Sequence, residues 1–240
     1  MLSRLHSWWR RAGWDDFVLI FAVVTMVVGL RVFFEMAEDA PQGHYLATER
    51  TIMQAFRHAD SHAPIGPSWL PDTVRDLTAL ASAAVLILFA LLILGYLLLN
   101  RQYAAAALIA VSIAGGEALN TLLKEMFVRA RPDFTSHLVE VKTSSFPSGH
   151  AMAASIFYLT MGAVLSQTTK RRRQKIYITA AAVLLTLLTG LSRVYLGVHY
   201  PSDVLAGWSA GTAWAIMCWL VARWLRRRGA LRQAQPDTPR

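Results

Sequence analysis

Residues 77–99, with the sequence LTALASAAVLILFALLILGYLLL, contain no charged side chain. A helix needs about 20 predominantly apolar residues to cross the roughly 30 Å hydrocarbon core of a bilayer. This stretch therefore predicts a transmembrane helix. A soluble fold would have to bury every face of it, so the stretch decides the fold class.

The composition of the whole chain also indicates a membrane protein. Of its 240 residues, 55% are hydrophobic and only 16% are charged, and the mean hydropathy is +0.37. A soluble domain devotes about a quarter of its residues to charge. These values exclude a disordered chain and a collagen-like fibre. The single cysteine, Cys218, excludes an intramolecular disulfide.

Five further apolar segments are long enough, together with flanking residues, to cross a membrane. They cover residues 17–34, 103–123, 151–165, 176–191 and 204–222. With residues 77–99 they predict an all-α fold, an integral membrane bundle of six transmembrane helices in one domain, residues 1–225. The basic tail, residues 226–240, contains two prolines and is expected to be disordered and cytoplasmic.

The distribution of Lys and Arg predicts the orientation, because cytoplasmic segments carry the excess. With the N-terminus inside, the inner segments carry 15 of the 24 Lys and Arg residues and the outer segments carry 8. We therefore expect both termini on the cytoplasmic side of a bacterial inner membrane, and loops 35–76, 124–150 and 192–203 outside. Residues 35–40 lack a signal-peptide cleavage pattern, so the first span is interpreted as a retained anchor. The net charge of +9 is assigned to this topology rather than to nucleic-acid binding.

The first outer loop contains a short amphipathic segment. Residues 51–60 place Ile52, Met53 and Phe56 on one helical face, as is typical of an interfacial helix. We expect this segment to form a short helical cap on the outer face of the bundle. The tryptophans of the last span are expected to face lipid and the membrane interface.

The first polar cluster is Lys124-x6-Arg131-Pro132, at the end of the third span. A phosphate needs fixed cations and N–H donors around its oxygens, and Lys and Arg supply both. Taken alone, the cluster is more typical of a helix end, where basic side chains extend to the membrane interface, than of a phosphate site. The proline indicates that the helix stops there.

The second cluster is Phe146-Pro147-Ser148-Gly149-His150, directly before the fourth span. The proline favours a helix start, the glycine permits close approach of a ligand, and the unpaired N–H groups of a helix N-terminus bind anions. The histidine would lie at the rim of such a site. An ordinary N-cap followed by a solvent-facing histidine explains the same residues equally well.

The third cluster is Ser192-Arg193-x5-His199-x3-Asp203, between the fifth and sixth spans. A carboxylate four positions after a histidine can hold one ring nitrogen, which makes the other nitrogen a better nucleophile or base. The arginine adds a guanidinium for phosphate. A surface His–Asp pair in a hairpin is the alternative, but the predicted topology brings all three clusters to one face of the membrane.

Together the three clusters resemble the signature of the type 2 phosphatidic acid phosphatase superfamily, and all eleven fixed positions match. The resemblance implies a metal-independent phosphatase without a cofactor, and the outer loops add no separate group with metal-ligand spacing. It implies that His199 is the nucleophile and forms a phosphohistidine, that Asp203 orients it, and that His150 is the general acid that later activates water. The implied phosphate ligands are Lys124, Arg131, Ser148, Gly149 and Arg193.

The sequence therefore predicts an enzyme that hydrolyses a lipid phosphate or diphosphate at the outer membrane boundary, where the headgroup lies while the chains stay in the bilayer. The expected partners are this lipid substrate and membrane lipids, with no nucleic acid and no protein partner. The resemblance favours undecaprenyl diphosphate, and the alternatives are phosphatidate, phosphatidylglycerol phosphate and lipid A phosphates. A lipid phosphotransferase is a further alternative, and a non-catalytic transporter or assembly factor is the rival from another class.

One polar stripe lies outside the three clusters. Glu117, Asn120 and Lys124 are spaced to share one face of the third span. An ionisable residue within a span is a candidate for function, and this stripe favours the transporter alternative. A carboxylate that pairs with a neighbouring helix explains it equally well.

Overall fold

The computed structural model describes residues 14–59, 63–133 and 143–228, and the regular structure in these ranges is helical apart from one isolated β-bridge between Arg57 and Pro64. Within them, eight helices follow one another along the chain: α1 (Trp14–Gln42), α2 (Leu46–Gln54), α3 (Leu70–Ala79), α4 (Ala83–Leu99), α5 (Tyr103–Met126), α6 (Gly149–Gln167), α7 (Arg172–Tyr195) and α8 (Pro201–Arg227). The all-α prediction is confirmed.

Five of these helices, α1 and α5 to α8, are long and apolar enough to cross a membrane. Helix α5, for example, has 24 residues and is therefore about 36 Å long. Helices α3 and α4 pass the same test only as a pair, with a bend of 45° between them. The protein is a multi-pass membrane protein with five candidate spans, or six if the bent pair forms one.

The apolar run at residues 77–99, predicted as a single helix, is interrupted. Helix α3 ends at Ala79 and α4 begins at Ala83, where Ser82 caps the new helix by accepting a hydrogen bond from Val85 N. The carbonyl of Leu80, freed by the break, accepts a hydrogen bond of 2.8 Å from the hydroxyl of Tyr158 on α6. A tertiary contact thus satisfies the backbone where the apolar pattern alone predicts continuity.

Side-chain exposure agrees with a lipid environment. Phe21 on α1 is 74% exposed, and Leu91 and Leu92 on α4 are 63% and 62% exposed. A soluble monomer rarely exposes apolar patches of the size that such neighbouring residues create. The outward faces of these helices are therefore suited to hydrocarbon rather than water.

The helix in the first loop differs from its prediction. Helix α2 begins at Leu46 and ends at Gln54, several residues earlier than residues 51–60. The expected apolar face is divided, because Met53 is fully buried while Ile52 is 42% exposed. The buried carboxylate of Glu49 joins α2 to α8, where it accepts a hydrogen bond from Ser202 N. Helix α2 therefore lies over the start of α8.

The two ends of the chain are described in part. Helix α1 continues to Gln42, beyond the predicted end at residue 34, and buries Phe33, Met36 and Ala37. Helix α8 continues to Arg227, so the predicted tail begins within a helix. Residues 1–13 and 229–240, which hold most of the terminal basic residues, lie outside the described ranges.

Helices α6 and α8 approach each other through two glycines. A Cβ atom at Gly207 would lie 2.6 Å from Ser148 O, and one at Gly211 would lie 2.6 Å from Met152 O. Small residues four positions apart permit such backbone contact between membrane helices. The contact places the N-terminus of α6 beside the first turn of α8, where Ser148 N donates to Asp203 O at 2.9 Å.

Two tryptophans of α8 lie between helices, contrary to the expectation that they face lipid. The indole N–H of Trp208 donates to Thr186 O at 3.0 Å, and that of Trp214 donates to Ser112 O at 2.8 Å. An indole N–H within a membrane needs such a partner. Trp224, near the end of α8, is 50% exposed, as expected for an interfacial residue.

Candidate active site

The turn between α7 and α8 positions His199 and Asp203. Helix α7 ends at Tyr195 and is followed by a left-handed glycine, Gly197, with a φ of 77°. The turn is closed by backbone hydrogen bonds to the last carbonyls of the helix. Helix α8 begins at Pro201, whose fixed φ suits a first helical position. His199 lies just before this helix and Asp203 in its first turn. They are 2% and 0% exposed.

The two side chains face each other through one oxygen and one ring nitrogen. Asp203 Oδ2 lies 3.5 Å from His199 Nδ1, and it accepts hydrogen bonds from Ser145 Oγ at 2.5 Å and from Tyr200 N at 2.9 Å. Because the carboxylate faces Nδ1, the other nitrogen, Nε2, is directed away from it. Nε2 lies 3.2 Å from Nη1 of Arg131.

The environment of His199 keeps its imidazole neutral at neutral pH. Burial lowers the pKa of His199 to about 4, although the hydrogen bond and the charge of Asp203 oppose this. The positive charges of Arg131 and Arg193 lower the pKa further. A neutral imidazole retains the lone pair that a nucleophile needs.

Three predicted cations surround this pair. Lys124 Nζ donates to Ser144 O at 2.8 Å, and Arg131 Nη1 donates to Val198 O at 2.7 Å. Arg193 is 2% exposed, and its Nη1 donates to the hydroxyl of Thr78 at 3.2 Å. Burial lowers the pKa of Arg131, while the Asp203 carboxylate raises it. The guanidinium nevertheless stays charged, because arginine is not deprotonated in proteins.

The N-terminus of α6 supplies neutral donors. Ser148 is the N-cap residue and is fully buried. Within the part of the chain that the structure describes, neither its Oγ nor the Nε of Arg193 has a hydrogen-bond partner. A Cβ at Gly149 would lie 3.3 Å from Asn120 Nδ2 and 3.4 Å from Lys124 Cε, so a larger residue there would crowd both side chains. These groups together form a cradle suited to the oxygens of an anion.

His150 completes the set on the first turn of α6. It lies within electrostatic range of His199 and of the cations Arg193, Lys124 and Arg131. The structure thus brings all eight predicted site residues together. Their individual roles stay a prediction.

The polar stripe on α5 divides between two environments. Asn120 is buried next to Gly149, whereas Glu117 is exposed on the surface of the helix. Glu117 lies within electrostatic range of Lys124. The exposure of Glu117 does not agree with the interpretation that its carboxylate pairs with a neighbouring helix.

Sequence reasoning missed the residues that support Asp203 from behind. Arg129 donates to Asp203 Oδ1 at 2.7 Å and to Glu49 Oε2 at 2.7 Å. Burial opposes the charge of Arg129, but Asp203 and Glu49 outweigh it and raise its pKa. For Arg129 and Ser145, the only signal in the sequence was proximity to the motifs. Arg129 precedes Arg131 by two positions, and Ser145 directly precedes the second cluster, which begins at residue 146. For Glu49 the sequence holds no such signal.

A metal site was not expected. Across residues 14–59, 63–133 and 143–228, no three His, Cys, Asp or Glu side chains are grouped so that they could hold a metal ion. Metal independence stays a prediction, which a chelator can test.

The site has the chemistry of phosphoryl transfer. It combines a buried neutral imidazole, a carboxylate behind it, several cations and a helix N-terminus at one end of a membrane bundle. A nucleophile of this kind with preorganised positive groups is the arrangement that enzymes use to stabilise a transferring phosphoryl group.

The chain belongs to the PAP2 superfamily, whose pattern matches residues 105–227. Phosphatidylglycerophosphatase B of Bacillus subtilis (strain 168) is 34% identical over 146 residues, which cover 60% of this chain and 70% of that protein. Lipid A 1-phosphatase of Rhizobium etli is 30% identical over 202 residues, which cover 73% of this chain and 82% of that protein.

A solved structure is similar over most of the fold. The crystal structure of a transmembrane PAP2 type phosphatidylglycerolphosphate phosphatase from Bacillus subtilis has a TM-score of 0.74 and 25% identity, and covers 88% of this chain and 99% of that one. Together with the sequence relatives, it confirms that this chain is a lipid phosphatase, an enzyme that hydrolyses phosphoric esters.

Proposed function

We propose that the protein removes the terminal phosphate of a membrane lipid, as a monoester or a diphosphate, through a phosphohistidine on His199. The observation that carries this proposal is the environment of one imidazole. Its Nδ1 faces Asp203 and its Nε2 faces Arg131 in a buried, positively charged site.

In the first step, Nε2 of His199 attacks the phosphorus atom and the bond to the leaving oxygen breaks. The leaving oxygen takes a proton from His150, which the negative charge of the bound phosphate keeps protonated among the cations of the site. Asp203 stabilises the positive charge that forms on the imidazole of His199. Substrate phosphate replaces the contact between Arg131 and Nε2, and this guanidinium then binds a phosphate oxygen. Arg193 and Lys124 bind phosphate oxygens in the same way.

In the second step, His150, now neutral, accepts a proton from a water molecule that attacks the phosphorus atom. The bond between phosphorus and Nε2 breaks, which releases inorganic phosphate and restores neutral His199. The two steps return both histidines to their starting protonation states, so the cycle needs no further acid or base.

The proposed lipid substrate follows from the location of the site at one end of the bundle. A lipid phosphate presents its headgroup at that depth while its chains remain in hydrocarbon. Undecaprenyl diphosphate, the substrate favoured by sequence, stays a prediction. It is supported by an undecaprenyl-diphosphatase of Sulfolobus acidocaldarius that is 31% identical over 121 residues, 54% of that protein.

Phosphatidylglycerol phosphate is the second candidate substrate. The phosphatidylglycerolphosphate phosphatase structure from Bacillus subtilis, which aligns with 88% of this chain, favours it. Rates on these two lipids and on phosphatidate, measured side by side in mixed micelles, distinguish the candidates. A higher kcat/KM on either phosphatidyl lipid would contradict the undecaprenyl assignment.

We further propose that the site faces the periplasm of a bacterial inner membrane, with both termini in the cytoplasm. The excess of Lys and Arg in the connection between α6 and α7 supports this orientation. Reporter fusions after residue 170 and within residues 134–142 test it. If both fusions report the same compartment, the proposed orientation is contradicted.

The phosphatase proposal is tested by release of inorganic phosphate from lipid phosphates by the detergent-purified protein with excess chelator. We expect full activity in the chelator and a loss of at least about 10⁴-fold in His199→Gln, because the nucleophile is removed. The matched control is the variant His58→Gln, which changes an exposed histidine in a loop. Retained activity in His199→Gln would show that another group is the nucleophile.

A further inference from the structure

A buried network lies behind the His199–Asp203 pair and is absent from the three sequence clusters. Arg129 Nη1 donates to Asp203 Oδ1 and to Ser202 Oγ, each at 2.7 Å, and its Nη2 donates to Glu49 Oε2 at 2.7 Å. Glu49 Oε1 in turn accepts hydrogen bonds from the backbone N–H of Ser202, at 3.0 Å, and from its hydroxyl. One guanidinium therefore joins two carboxylates, one on α2 and one on α8.

The network is shielded from water. The side chains of Arg129, Glu49 and Asp203 are 7%, 4% and 0% exposed. The ring of Tyr200 covers the guanidinium, whose central carbon lies 4.3 Å from the ring centroid. In such surroundings charges interact more strongly than at a surface, and a buried charge that loses its partner is costly.

The sign of each charge indicates what Glu49 contributes. Arg129 by itself would neutralise Asp203 and weaken the attraction between that carboxylate and an imidazole that becomes positive during attack. Glu49 balances Arg129, so the three side chains keep one net negative charge beside His199. Its hydrogen bonds also fix the orientation of the guanidinium, which in turn restrains Asp203.

We propose that Glu49 is a positioning residue of the reaction: through Arg129 it holds Asp203 in place and preserves the negative charge that Asp203 presents to His199. This inference rests on the proposed phosphohistidine mechanism. It assigns to α2, which the sequence indicated only as a cap, a part in phosphoryl transfer.

The variant Glu49→Gln tests the proposal, because it removes the charge and keeps the size and polarity of the side chain. We expect kcat on a lipid phosphate to fall about 10- to 100-fold, the loss seen for residues that support a metal-ligating histidine from behind, with KM unchanged. Glu38→Gln changes an exposed carboxylate near the end of α1 and is the matched control. It should retain the kcat of the parent protein.

Two further measurements separate positioning from general stability. Because Glu49 acts through Arg129, adding Glu49→Gln to Arg129→Gln should cost much less activity than Glu49→Gln costs alone. The acid limb of the kcat/KM profile should also move to lower pH in Glu49→Gln, since the imidazolium loses negative surroundings. The charged and titratable groups that face His199 directly, Asp203, Arg131, Arg193 and His150, are the same in both proteins.

An unchanged kcat and acid limb in Glu49→Gln would overturn the inference, and so would additive losses in the double variant. Absence of phosphatase activity in the parent protein would instead contradict the proposed function. If Glu49→Gln does not fold, as judged by its melting temperature, Ser202→Ala removes a hydroxyl bridge and keeps both charges. It should lower kcat at unchanged KM, and an unchanged kcat would then overturn the inference.

Discussion

The two halves of the site differ in how completely protein atoms satisfy their polar groups. On the side behind the nucleophile, both oxygens of Asp203 accept hydrogen bonds, from Arg129, Ser145 and Tyr200 N. On the phosphate side, Ser148 Oγ and Arg193 Nε have no hydrogen-bond partner among the residues that the structure describes. The fold thus fixes the group that orients the nucleophile and leaves these two groups available for phosphate oxygens.

The largest effect in this comparison is expected for Asp203→Asn on the satisfied side. An amide cannot stabilise the imidazolium and can hold the wrong tautomer, so kcat should fall by about 10³- to 10⁴-fold. Steady-state phosphate release measures this loss. Ser145→Ala removes one hydrogen bond to the same oxygen and should cost far less. If the two variants were equally impaired, orientation rather than charge would dominate.

A smaller effect is expected for Arg193→Lys on the phosphate side. Lysine keeps the charge but lacks the planar fork that reaches two oxygens, and a loss of one preorganised donor costs about 10²- to 10³-fold. Both kcat/KM and the affinity for inorganic phosphate should fall, whereas Asp203→Asn should leave phosphate affinity nearly unchanged. Inhibition by inorganic phosphate checks this contrast. Equal phosphate affinities in the two variants would show that the two halves of the site do not differ in their contribution to phosphate binding.

Much of this site was predictable from the sequence because its parts lie in short segments at helix ends. The eight predicted residues lie in or next to the terminal turns of α5, α6, α7 and α8, where a proline or a glycine indicates the local geometry. Glu49 was not predictable, since it contacts Ser202 across 153 positions of the chain. The break after α3 was also missed, because the carbonyl of Leu80 is satisfied by a distant hydroxyl that no local pattern reveals.

The smallest effect at neutral pH concerns the titration of His199. With its pKa lowered to about 4, kcat/KM should not respond to His199 between neutral pH and about pH 5, and should fall below pH 4 as the imidazole is protonated. Asp203→Asn removes the group that raises this pKa and should move the acid limb to lower pH. An acid limb of the kcat/KM profile with its midpoint near the ordinary histidine pKa of about 6.5 would contradict the burial of the imidazole.

The lowered pKa of His199 also makes the stability of the folded protein depend on pH. The unfolded chain binds a proton at the ordinary pKa of about 6.5, whereas the folded protein resists it until about pH 4. The free energy of unfolding should therefore fall as pH decreases through this window, by about 3 kcal/mol for His199 alone. Melting temperatures of the parent protein and of His199→Gln in detergent, recorded from pH 7 to 4, measure the difference.

Trapping the phosphoryl group on His199 tests the proposed phosphohistidine mechanism without relying on rates. In His150→Gln, an aryl phosphate with a good leaving group needs no acid for the first step, while the second step lacks its base. We expect an acid-labile, alkali-stable phosphoprotein, with the phosphoryl group located on His199 by mass spectrometry. Modification of a different residue, or phosphate release from this variant at the parental rate without any phosphoprotein, would contradict it.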